Sequence, residues 1–558
     1  MKIRNIYKIG VVFSLMSVFS CTEDLVEMNK NPNGADPGTT NPNMVLSTVL
    51  TETARAFVTL GYGDMAGVVQ HTQKDGWAGG HNSYEWGGSN DWSGYYGILR
   101  NNKFVYDKAV ELNQPLQQGV SLVMKAMVFG LIADLFGDAP YTDALKGATA
   151  GAEYTYPKFD SQQVIYEGVL ADLEEANKLL SATSFNSTMG SSDVFFAGNV
   201  TKWRKFANSL ALRYYMRLAE KSPAVAKAGI EKIVATPATY PIITASADDV
   251  AMSFIGNSNA DSWPSNATYD TDSTNYRRIK MANTFVRALL ARNDPRMGVW
   301  ANKVAIFLQV QPGAKGVDRV ADTIVNGERR RVRYLSPDKL MPGTTIADVN
   351  QDPNYVGLPL RLSTPYAYNQ NAGGVQSSRN PHVSWVNTKF SDAKSGIKAR
   401  IMSAAEVRFI LAEASAHYKW NAGDAKEHYN QGILASFTAW GLNAAAATAY
   451  AAQPSVAFDG TQSQIITQKW IASWSVATEA WFDWRRTGYP VLEGASTAGV
   501  LPVRFYYELR ERNQNSANTT AAAAKLEKTA YSQFGDAGLE NSAWSKPWLL
   551  QGTGKPWK

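Results

Sequence analysis

Apolar residues along this chain recur mostly every three or four positions, which is the spacing of helices with one buried face. Residues 117–136 are apolar on nearly every side, and this pattern is typical of a helix buried between other helices. Gly137 and Pro140 follow the segment and predict its end. Residues 199–221 carry their apolar side chains on one face, so they predict an amphipathic helix.

Two capping signals mark further helix starts. Ser403 with Glu406, and Thr461 with Gln464, have the spacing of a capping box. From Thr461 the apolar residues recur at helical spacing up to Gly488, so we predict one continuous helix over this stretch. The same pattern predicts further helices near residues 43–60, 93–113, 163–180, 280–292 and 422–440.

Strand signals are few. The best is the segment ADTIVNGERRRVRYL, which predicts a hairpin that turns at Asn326 and Gly327, the pair that a type I′ turn prefers. Long polar loops at 72–92, 244–278 and 335–398 separate the helices, and loops of that length in a compact protein are usually functional. Helices joined in pairs by short connections, together with these loops, indicate a mainly α fold with small β-hairpins.

The N-terminus has the order of a secretory signal. The three cations Lys2, Arg4 and Lys8 precede an almost entirely apolar run, residues 9–19, which is too short to span a membrane. Cys21, the only cysteine of the 558 residues, stands where cleavage is expected. This placement predicts a bacterial lipoprotein that is cut before Cys21 and lipidated on it. We therefore divide the chain into a signal peptide at 1–20, a lipidated tether at 21–43 and a single domain at 44–558.

Composition narrows the class of protein. Apolar residues make up 45% of the chain and charged residues 19%, which is typical of a folded protein. The formal net charge of +6 falls to +3 when the three cations of the signal peptide are removed, and this near-neutral balance argues against a nucleic-acid partner. No second cysteine is present to form a disulfide, and a core of this size needs none.

Flat aromatic side chains in a polar loop are the best candidates for ligand binding. A sugar presents apolar C–H faces and polar edges, so its site needs aromatic rings beside polar groups. The Gly-rich loop 75–92 supplies Trp77, Tyr84 and Trp86 together with His81. Glycine keeps the backbone of this loop mobile and exposed, so we predict that these four residues contact a ligand. The alternative is that the rings pack on a neighbouring helix.

Two further loops, residues 261–277 and 363–374, combine rings with polar groups in the same way. The ligand-binding residues that we predict in them are Trp263, Tyr269, Tyr276, Tyr366, Tyr368 and Asn369. For the later loop the alternative is a plain surface loop without a ligand.

Asp270 and Asp272 begin like a calcium-binding loop. The pattern then departs from an EF-hand, because its glycine and glutamate positions are taken by Asn275 and Met281. The two aspartates are therefore candidate calcium ligands outside that motif, and we expect no other cofactor.

Signatures of catalysis are weak, and the five histidines show no zinc-ligand spacing. Glu479 and Asp483 lie four residues apart on one helix face and are followed by Arg485 and Arg486. Two neighbouring carboxylates resemble a glycosidase pair, but carboxylates on one helix beside arginines favour a structural ion network. We therefore predict a protein that is not an enzyme.

Several segments, spread over most of the mature chain, resemble the SusD/RagB family, specifically its SusD-like branch of outer-membrane nutrient-binding lipoproteins from Bacteroidota-type bacteria. In chain order they are NKNPNGADP, WSGYYGILRNNKFV, ADLFGDAPYTDAL, FANSLALRYYMRLA, AAEVRFILAEA, EAWFDWRRTGYP and LPVRFYYELRERN. Family members usually carry a proline after a tyrosine in the last segment, where this chain has Glu508. Glu23 and Asp24, close behind Cys21, are similar to the signal that sends such lipoproteins to the cell surface.

The resemblance implies a fold in which helix pairs like tetratricopeptide repeats pack against a loop-rich half. It implies capture of oligomeric nutrients, glycans first and oligopeptides as the alternative, and their delivery to a SusC-like TonB-dependent barrel. The protein is then anchored in the outer membrane by its lipid and faces the outside of the cell. Two other hypotheses stay open: a lipoprotein glycosidase with a helical toroid fold, and an adhesin-like surface protein without a ligand.

Overall fold

The computed structural model describes residues 40–87, 90–149, 151–270, 272–372, 379–394, 396–494, 497–535 and 538–557. Cys21, the predicted signal peptide and nearly all of the predicted tether lie outside these residues. Within them helices dominate, and the strands form three small sheets. The expectation of a mainly α fold with small hairpins is confirmed.

The described chain up to residue 235 contains eight α-helices. Their bounds are α1 Pro42–Tyr62, α2 Asp64–Val68, α3 Ser93–Glu111, α4 Pro115–Phe136, α5 Ala152–Thr155, α6 Gln162–Leu179, α7 Val200–Arg217 and α8 Pro223–Ala235. Asn41, Ser161 and Asn199 cap α1, α6 and α7, each through a side chain that accepts a backbone N–H of the first turn. The helices predicted at 117–136 and 199–221 are thus present with bounds shifted by a few residues.

Helix α4 is the centre of this half. Among the helices in the described residues, it alone is long and apolar enough to cross a membrane, and 94% of its most apolar stretch is buried inside the protein. It packs between α3 and α6. This burial on all sides explains why its sequence is apolar on nearly every face.

Ten further α-helices follow in the described residues. Their bounds are α9 Thr274–Arg277, α10 Asn283–Leu290, α11 Met297–Trp300, α12 Ala404–Ala416, α13 Ala425–Ala439, α14 Ala444–Ala451, α15 Gln462–Ala472, α16 Ala477–Thr487, α17 Leu509–Gln514 and α18 Ser516–Ala524. Sequence neighbours pack against each other in pairs, as α3 does with α4, α7 with α8 and α12 with α13. This pairing agrees with the helix pairs expected from the sequence.

The prediction of one continuous helix from Thr461 to Gly488 is wrong. Helix α15 ends at Ala472 and α16 begins at Ala477, because Ser475 between them adopts a φ of 70°. That value lies in the left-handed region, which a right-handed helix does not accommodate. The turn brings the ring of Trp474 into a stack with Phe285, 5.4 Å between centroids.

The seven strands of the described chain are short. Their bounds are β1 Thr72–Lys74, β2 Val250–Ser253, β3 Ile279–Met281, β4 Ile306–Val310, β5 Asp318–Val325, β6 Glu328–Leu335 and β7 Lys398–Met402. Strand β1 pairs antiparallel with β3 and β2 with β7, whereas β6 lies between β4 and β5. The predicted hairpin is confirmed as β5–β6, and its turn residues Asn326 and Gly327 have φ values of 51° and 82°.

A candidate ligand-binding cleft

A cleft of about 630 Å³ opens beside the small β1–β3 sheet. The C-terminal end of α1 forms one wall with Thr59, Tyr62 and Gly63, and the chain leaving β1 forms another with Lys74, Gly76 and Trp77. The third wall of the cleft is the segment that leads into β3, together with the first residue of that strand. Its lining residues are Asp272, Thr274, Asn275, Arg277, Arg278 and Ile279. The cleft thus joins two of the three loops in which the sequence predicts ligand contacts, and its size is within the range of small-ligand sites.

Trp77 is the exposed ring of this cleft. Its side chain keeps 83% of its surface accessible, and its backbone adopts a φ of 53°. A bulky residue in the left-handed region is uncommon, and such conformations cluster at functional sites. The guanidinium carbon of Arg278 lies 5.7 Å from the centroid of the indole ring, a cation–π contact that holds the ring at the mouth of the cleft.

Asn82 fixes the loop that carries Trp77. Its Nδ2 donates to the backbone oxygen of Lys74 at 2.8 Å, and its Oδ1 accepts the backbone N–H of Lys74 at 2.9 Å. On the other side of β1, the backbone N–H of Asp75 donates to the oxygen of Arg278. The side-chain amide of Asn82 therefore occupies the backbone N–H and oxygen of Lys74, which the edge of β1 would otherwise offer to another strand.

A buried ion pair lies beneath the cleft. The Nζ atom of Lys280 is 3.1 Å from Oδ2 of Asp75, and both side chains are enclosed. Burial raises the pKa of the Asp75 carboxyl to about 6 and lowers the pKa of the Lys280 ammonium to about 8. The Nζ atom of Lys280 also lies 4.2 Å from the centroid of the Trp385 ring.

A second pocket, of about 820 Å³, adjoins the first. The two share Thr59, Gly63 and Lys74 in their walls, and the second continues between α1 and α3 past Arg55 and Tyr95. Together they form a groove along α1. A groove of this kind accommodates an extended, oligomeric ligand better than a compact one.

Three of the predicted contact residues in the first loop lie in the core. His81, Tyr84 and Trp86 are almost fully buried. The Trp86 ring packs edge-on against Phe505, and its Nε1 donates to the oxygen of Gly80 at 3.0 Å. The prediction that these three contact a ligand is corrected, because the loop folds inward on its glycines and leaves only Trp77 outside.

The second loop, residues 261–277, also contains both buried and exposed rings among its predicted ligand contacts. Trp263 is 0% exposed and packs against Tyr62 with 4.9 Å between centroids, so it supports the cleft wall from behind. Tyr276 is also buried and donates its hydroxyl to the oxygen of Val386 at 2.8 Å. Both are therefore corrected to packing residues. Tyr269 keeps 42% of its surface exposed, and its contact with a ligand stays a prediction.

The described part of the third loop, residues 363–372, does not line this cleft. Asn369 is buried, and its Nδ2 donates to the backbone oxygens of Asn350 and His382, both at 3.0 Å. Its amide thus holds the loop together and is corrected to a structural role. Tyr366 and Tyr368 are half-buried, and Tyr368 packs against the small core beneath β4 and β6. Residues 373–378, which include the end of this loop, lie outside the described residues.

The two candidate calcium ligands are engaged differently. Oδ2 of Asp270 accepts the hydroxyl of Thr274 at 3.0 Å and the backbone N–H of Asn275 at 2.7 Å, so it fixes the start of α9. Asp272 lies exposed on the cleft wall. In the part of the chain that the structure describes, no three His, Cys, Asp or Glu side chains are close enough to hold a metal ion. The calcium prediction therefore gains no support from the geometry.

The carboxylates of α16 belong to a buried ion network. Glu479 pairs with Arg217 at 2.6 Å and with Arg213 at 3.4 Å, and Asp483 pairs with Lys469 at 2.8 Å. All five side chains are nearly inaccessible. Glu479 borders a cavity of only about 20 Å³, too small for a sugar. The interpretation as a structural ion network is confirmed.

The arginines of the same helix complete this network. Arg486 pairs with Glu413 at 2.6 Å, and Arg485 donates to the backbone oxygens of Asp134 and Val503. These contacts join α16 to helices far away in the sequence. They account for the charge cluster as part of the packing of α16.

Sequence reasoning did not select the cations of the cleft. Lys74, Arg277 and Arg278 line it, but isolated basic residues in a polar loop resemble an ordinary solvated surface. The available signal in the sequence was the adjacent pair Arg277-Arg278 at the end of the aromatic loop 261–277.

Comparison with known proteins identifies the class of protein. The family model described as "SusD-like_2: Starch-binding associating with outer membrane" matches residues 32–334 and 338–508. The chain belongs to this family, as its motifs implied. No curated protein matches the chain significantly.

Solved structures share the fold over nearly the whole chain. A candidate nutrient-binding outer membrane protein of Bacteroides vulgatus is 24% identical, with a TM-score of 0.69 over 92% of this chain and 100% of its own. A chitin-binding protein is 24% identical, with a TM-score of 0.67 and the same coverage of both chains. A chitin-binding SusD homolog from Flavobacterium johnsoniae is 20% identical, with a TM-score of 0.66 over 91% of this chain and 99% of its own. At these identities the likeness shows the fold alone.

Proposed function

We propose that this protein is an outer-membrane lipoprotein that captures an oligosaccharide in the cleft beside Trp77 and delivers it to a SusC-like TonB-dependent barrel. The family description, which combines starch binding with the outer membrane, supports the location and the class of ligand. Two of the similar structures are named as chitin-binding. The lipid on Cys21 holds the binding domain close to the transporter and so raises its effective concentration there.

The observation that carries the proposal is the exposure of Trp77. An indole ring with 83% of its surface accessible is unusual, and this ring stands at the mouth of a cleft beside Thr274 and Asn275. Aromatic rings bind the apolar C–H face of a sugar, while hydroxyl and amide groups bind its polar edge. The wall of the cleft supplies both.

The edge of β1 favours a glycan over an oligopeptide. An extended peptide binds most simply by adding a strand to an open sheet edge, through backbone hydrogen bonds. At Lys74 those backbone groups are already bound by the amide of Asn82. A sugar chain does not need them, because it uses ring faces and side chains.

No covalent chemistry is part of this proposal. The two carboxylates on α16 that offered a glycosidase alternative are neutralised by arginine and lysine inside the core, away from the cleft. Incubation of the purified protein with the oligosaccharide that it binds should leave the sugar intact. Release of shorter sugars would contradict the binding function.

Trp77→Ala tests the site. Loss of the stacking ring should weaken binding of the bound oligosaccharide by about tenfold or more, as truncation of an interface hot spot does. The matched control is Tyr156→Ala, which removes another exposed ring outside the cleft. Calorimetric titration of both variants against a panel of neutral and acidic oligosaccharides measures the effect. Equal affinities in both variants would contradict the assignment of the cleft.

Anchoring and delivery have separate tests. Cys21→Ser should release the protein from the membrane fraction without changing its affinity for sugar. Deletion of the partner barrel should abolish uptake while the isolated protein still binds. Uptake that persists without any TonB-dependent barrel would contradict delivery and leave binding untouched.

A further inference from the structure

The cleft beside Trp77 is strongly biased towards positive charge. Lys74, Arg277 and Arg278 line it, against a single carboxylate, that of Asp272. Among the residues that the structure describes, none of the three cations forms an ion pair or a side-chain hydrogen bond within the protein. The adjoining pocket along α1 is different, because its lining contains as many acidic as basic side chains.

Arg278 shows that this charge is built into the site. It is only 8% exposed, yet its guanidinium has no carboxylate of its own and contacts the ring of Trp77 instead. The buried carboxylate of Asp75 feels the charge of Arg278 but forms its ion pair with Lys280. A desolvated cation without a counter-ion is costly unless a ligand supplies the opposite charge.

Gly76 makes room for this arrangement. A Cβ atom at position 76 would collide with Nη1 of Arg278, so the guanidinium passes directly over the glycine into the cleft. Arg277 stands on the same wall, half-buried, with its Nε unbonded inside the protein. Two adjacent guanidinium groups provide the forked donors that bind carboxylate or sulfate groups in pairs of hydrogen bonds.

We propose that the ligand is an acidic oligosaccharide, whose sugar ring lies on Trp77 while its carboxylate or sulfate binds Arg277 and Arg278. The inference rests on the proposed function, since it names the chemistry of the sugar held in that cleft. A neutral sugar leaves the cleft with three cations against the single carboxylate of Asp272. An acidic peptide meets the same cations but leaves the exposed indole face unused and finds the edge of β1 already occupied.

Paired probes separate charge from shape. The purified mature protein is titrated with a panel of uronate oligosaccharides and with the methyl ester of each, which keeps the sugar ring and removes the charge. We expect at least one uronate to bind about tenfold or more tightly than its ester at low salt, and the difference to shrink as salt screens the charges. Sulfated oligosaccharides and a glutamate-rich peptide complete the panel, and tight binding of a sulfated sugar alone supports the sulfate form of the proposal.

Arg277→Gln should reduce binding of the acidic sugar by about tenfold and should weaken binding of its uncharged ester much less. Arg278→Gln should do the same. Arg278→Lys keeps the charge and should therefore retain part of the affinity. It also tests the position if the glutamine variant folds poorly. The matched control is Arg319→Gln, since Arg319 also lies over a ring, that of Tyr334, but on the exposed β5–β6 hairpin.

The outcomes of these titrations distinguish the claim of an acidic ligand from the claim of a glycan site beside Trp77. Equal affinity for uronates, sulfated sugars and neutral sugars, all lost in Trp77→Ala, would overturn the acidic ligand and keep the glycan site. Binding of the glutamate-rich peptide in preference to every sugar would overturn both. Absence of binding to any sugar in the panel would likewise overturn both.

Discussion

The ammonium of Lys280 lies 3.1 Å from Oδ2 of Asp75, and both side chains are enclosed beneath the floor of the cleft. The pair ties β3 to the chain that leaves β1 and carries Gly76 and Trp77. The position of the Trp77 ring therefore depends on an ion pair that lies beneath the ligand-binding surface.

Removal of one partner of this ion pair should destabilise the protein. Lys280→Met leaves the carboxylate of Asp75 buried without its counter-ion, so we expect the free energy of unfolding to fall by about 3–5 kcal/mol. The double variant Lys280→Met with Asp75→Asn should recover part of the loss, because no uncompensated charge remains. Urea denaturation measures both, and Lys315→Met, at an exposed site, is the control. A loss in Lys280→Met no larger than in this control would contradict the role of the pair.

The buried His71 should make the protein sensitive to acid. Burial lowers the pKa of its imidazole from 6.5 to about 3, and Nε2 bonds to the oxygen of Trp470 at 3.0 Å. Between these values the unfolded chain binds the proton and the folded protein does not. Stability is therefore retained above pH 6.5 and is lost as the pH falls, by up to about 1.4 kcal/mol for each pH unit.

Replacement of this histidine isolates its share of the acid sensitivity. His71→Gln keeps a donor to Trp470 and removes the titration, so its free energy of unfolding should fall less steeply between pH 6.5 and 4 than that of the wild type. His417→Gln, at an exposed position, should keep the wild-type slope. Identical slopes in wild type and His71→Gln would refute the assignment.

Trp263 and Trp77, both predicted from the sequence to bind the ligand, should respond oppositely to replacement by alanine. Trp263→Ala empties a fully buried site against Tyr62 and should cost about 3–5 kcal/mol of unfolding free energy. Trp77→Ala removes an exposed ring and should change stability by no more than about 0.5 kcal/mol while it weakens ligand binding. Thermal denaturation and ligand titration of both variants provide the test. A stability loss of equal size in the two would contradict their placement.

The helices were largely predictable because the buried face of each helix shows in the spacing of its apolar residues. Residues 117–136 are apolar on all sides since α4 is packed on all sides, and Gly488 ends α16 with a φ of 79° as expected of a C-terminal glycine. The break at Ser475 was not predictable. It places Trp474 in a stack with Phe285, a partner nearly two hundred positions away that the local sequence does not reveal.

The candidate site was predictable only as a set of loops. Trp77, Trp86 and Trp263 all occur in polar loops that contain small residues, so their local sequence does not separate them. What separates them is the partner that each loop folds against. Trp86 meets Phe505 and Trp263 meets Tyr62, both from distant parts of the chain, whereas Trp77 faces the open cleft.

Gly76 offers a way to move Arg278 without changing its charge. A methyl group in Gly76→Ala would push the flexible guanidinium aside, so stability should change by no more than about 1 kcal/mol while the affinity for an acidic sugar falls. Gly313→Ala, where the added methyl meets no neighbour in the described structure, is the control. Affinity that is unchanged in Gly76→Ala would show that the placement of Arg278 is irrelevant to the ligand.

A crystal structure of the mature protein with its oligosaccharide tests the central claim most directly. The account predicts a sugar ring against the indole of Trp77, inside the cleft between α1 and the segment that precedes β3. The rest of the oligosaccharide should lie along the groove beside α1. An ordered sugar bound elsewhere, with this cleft empty, would contradict it.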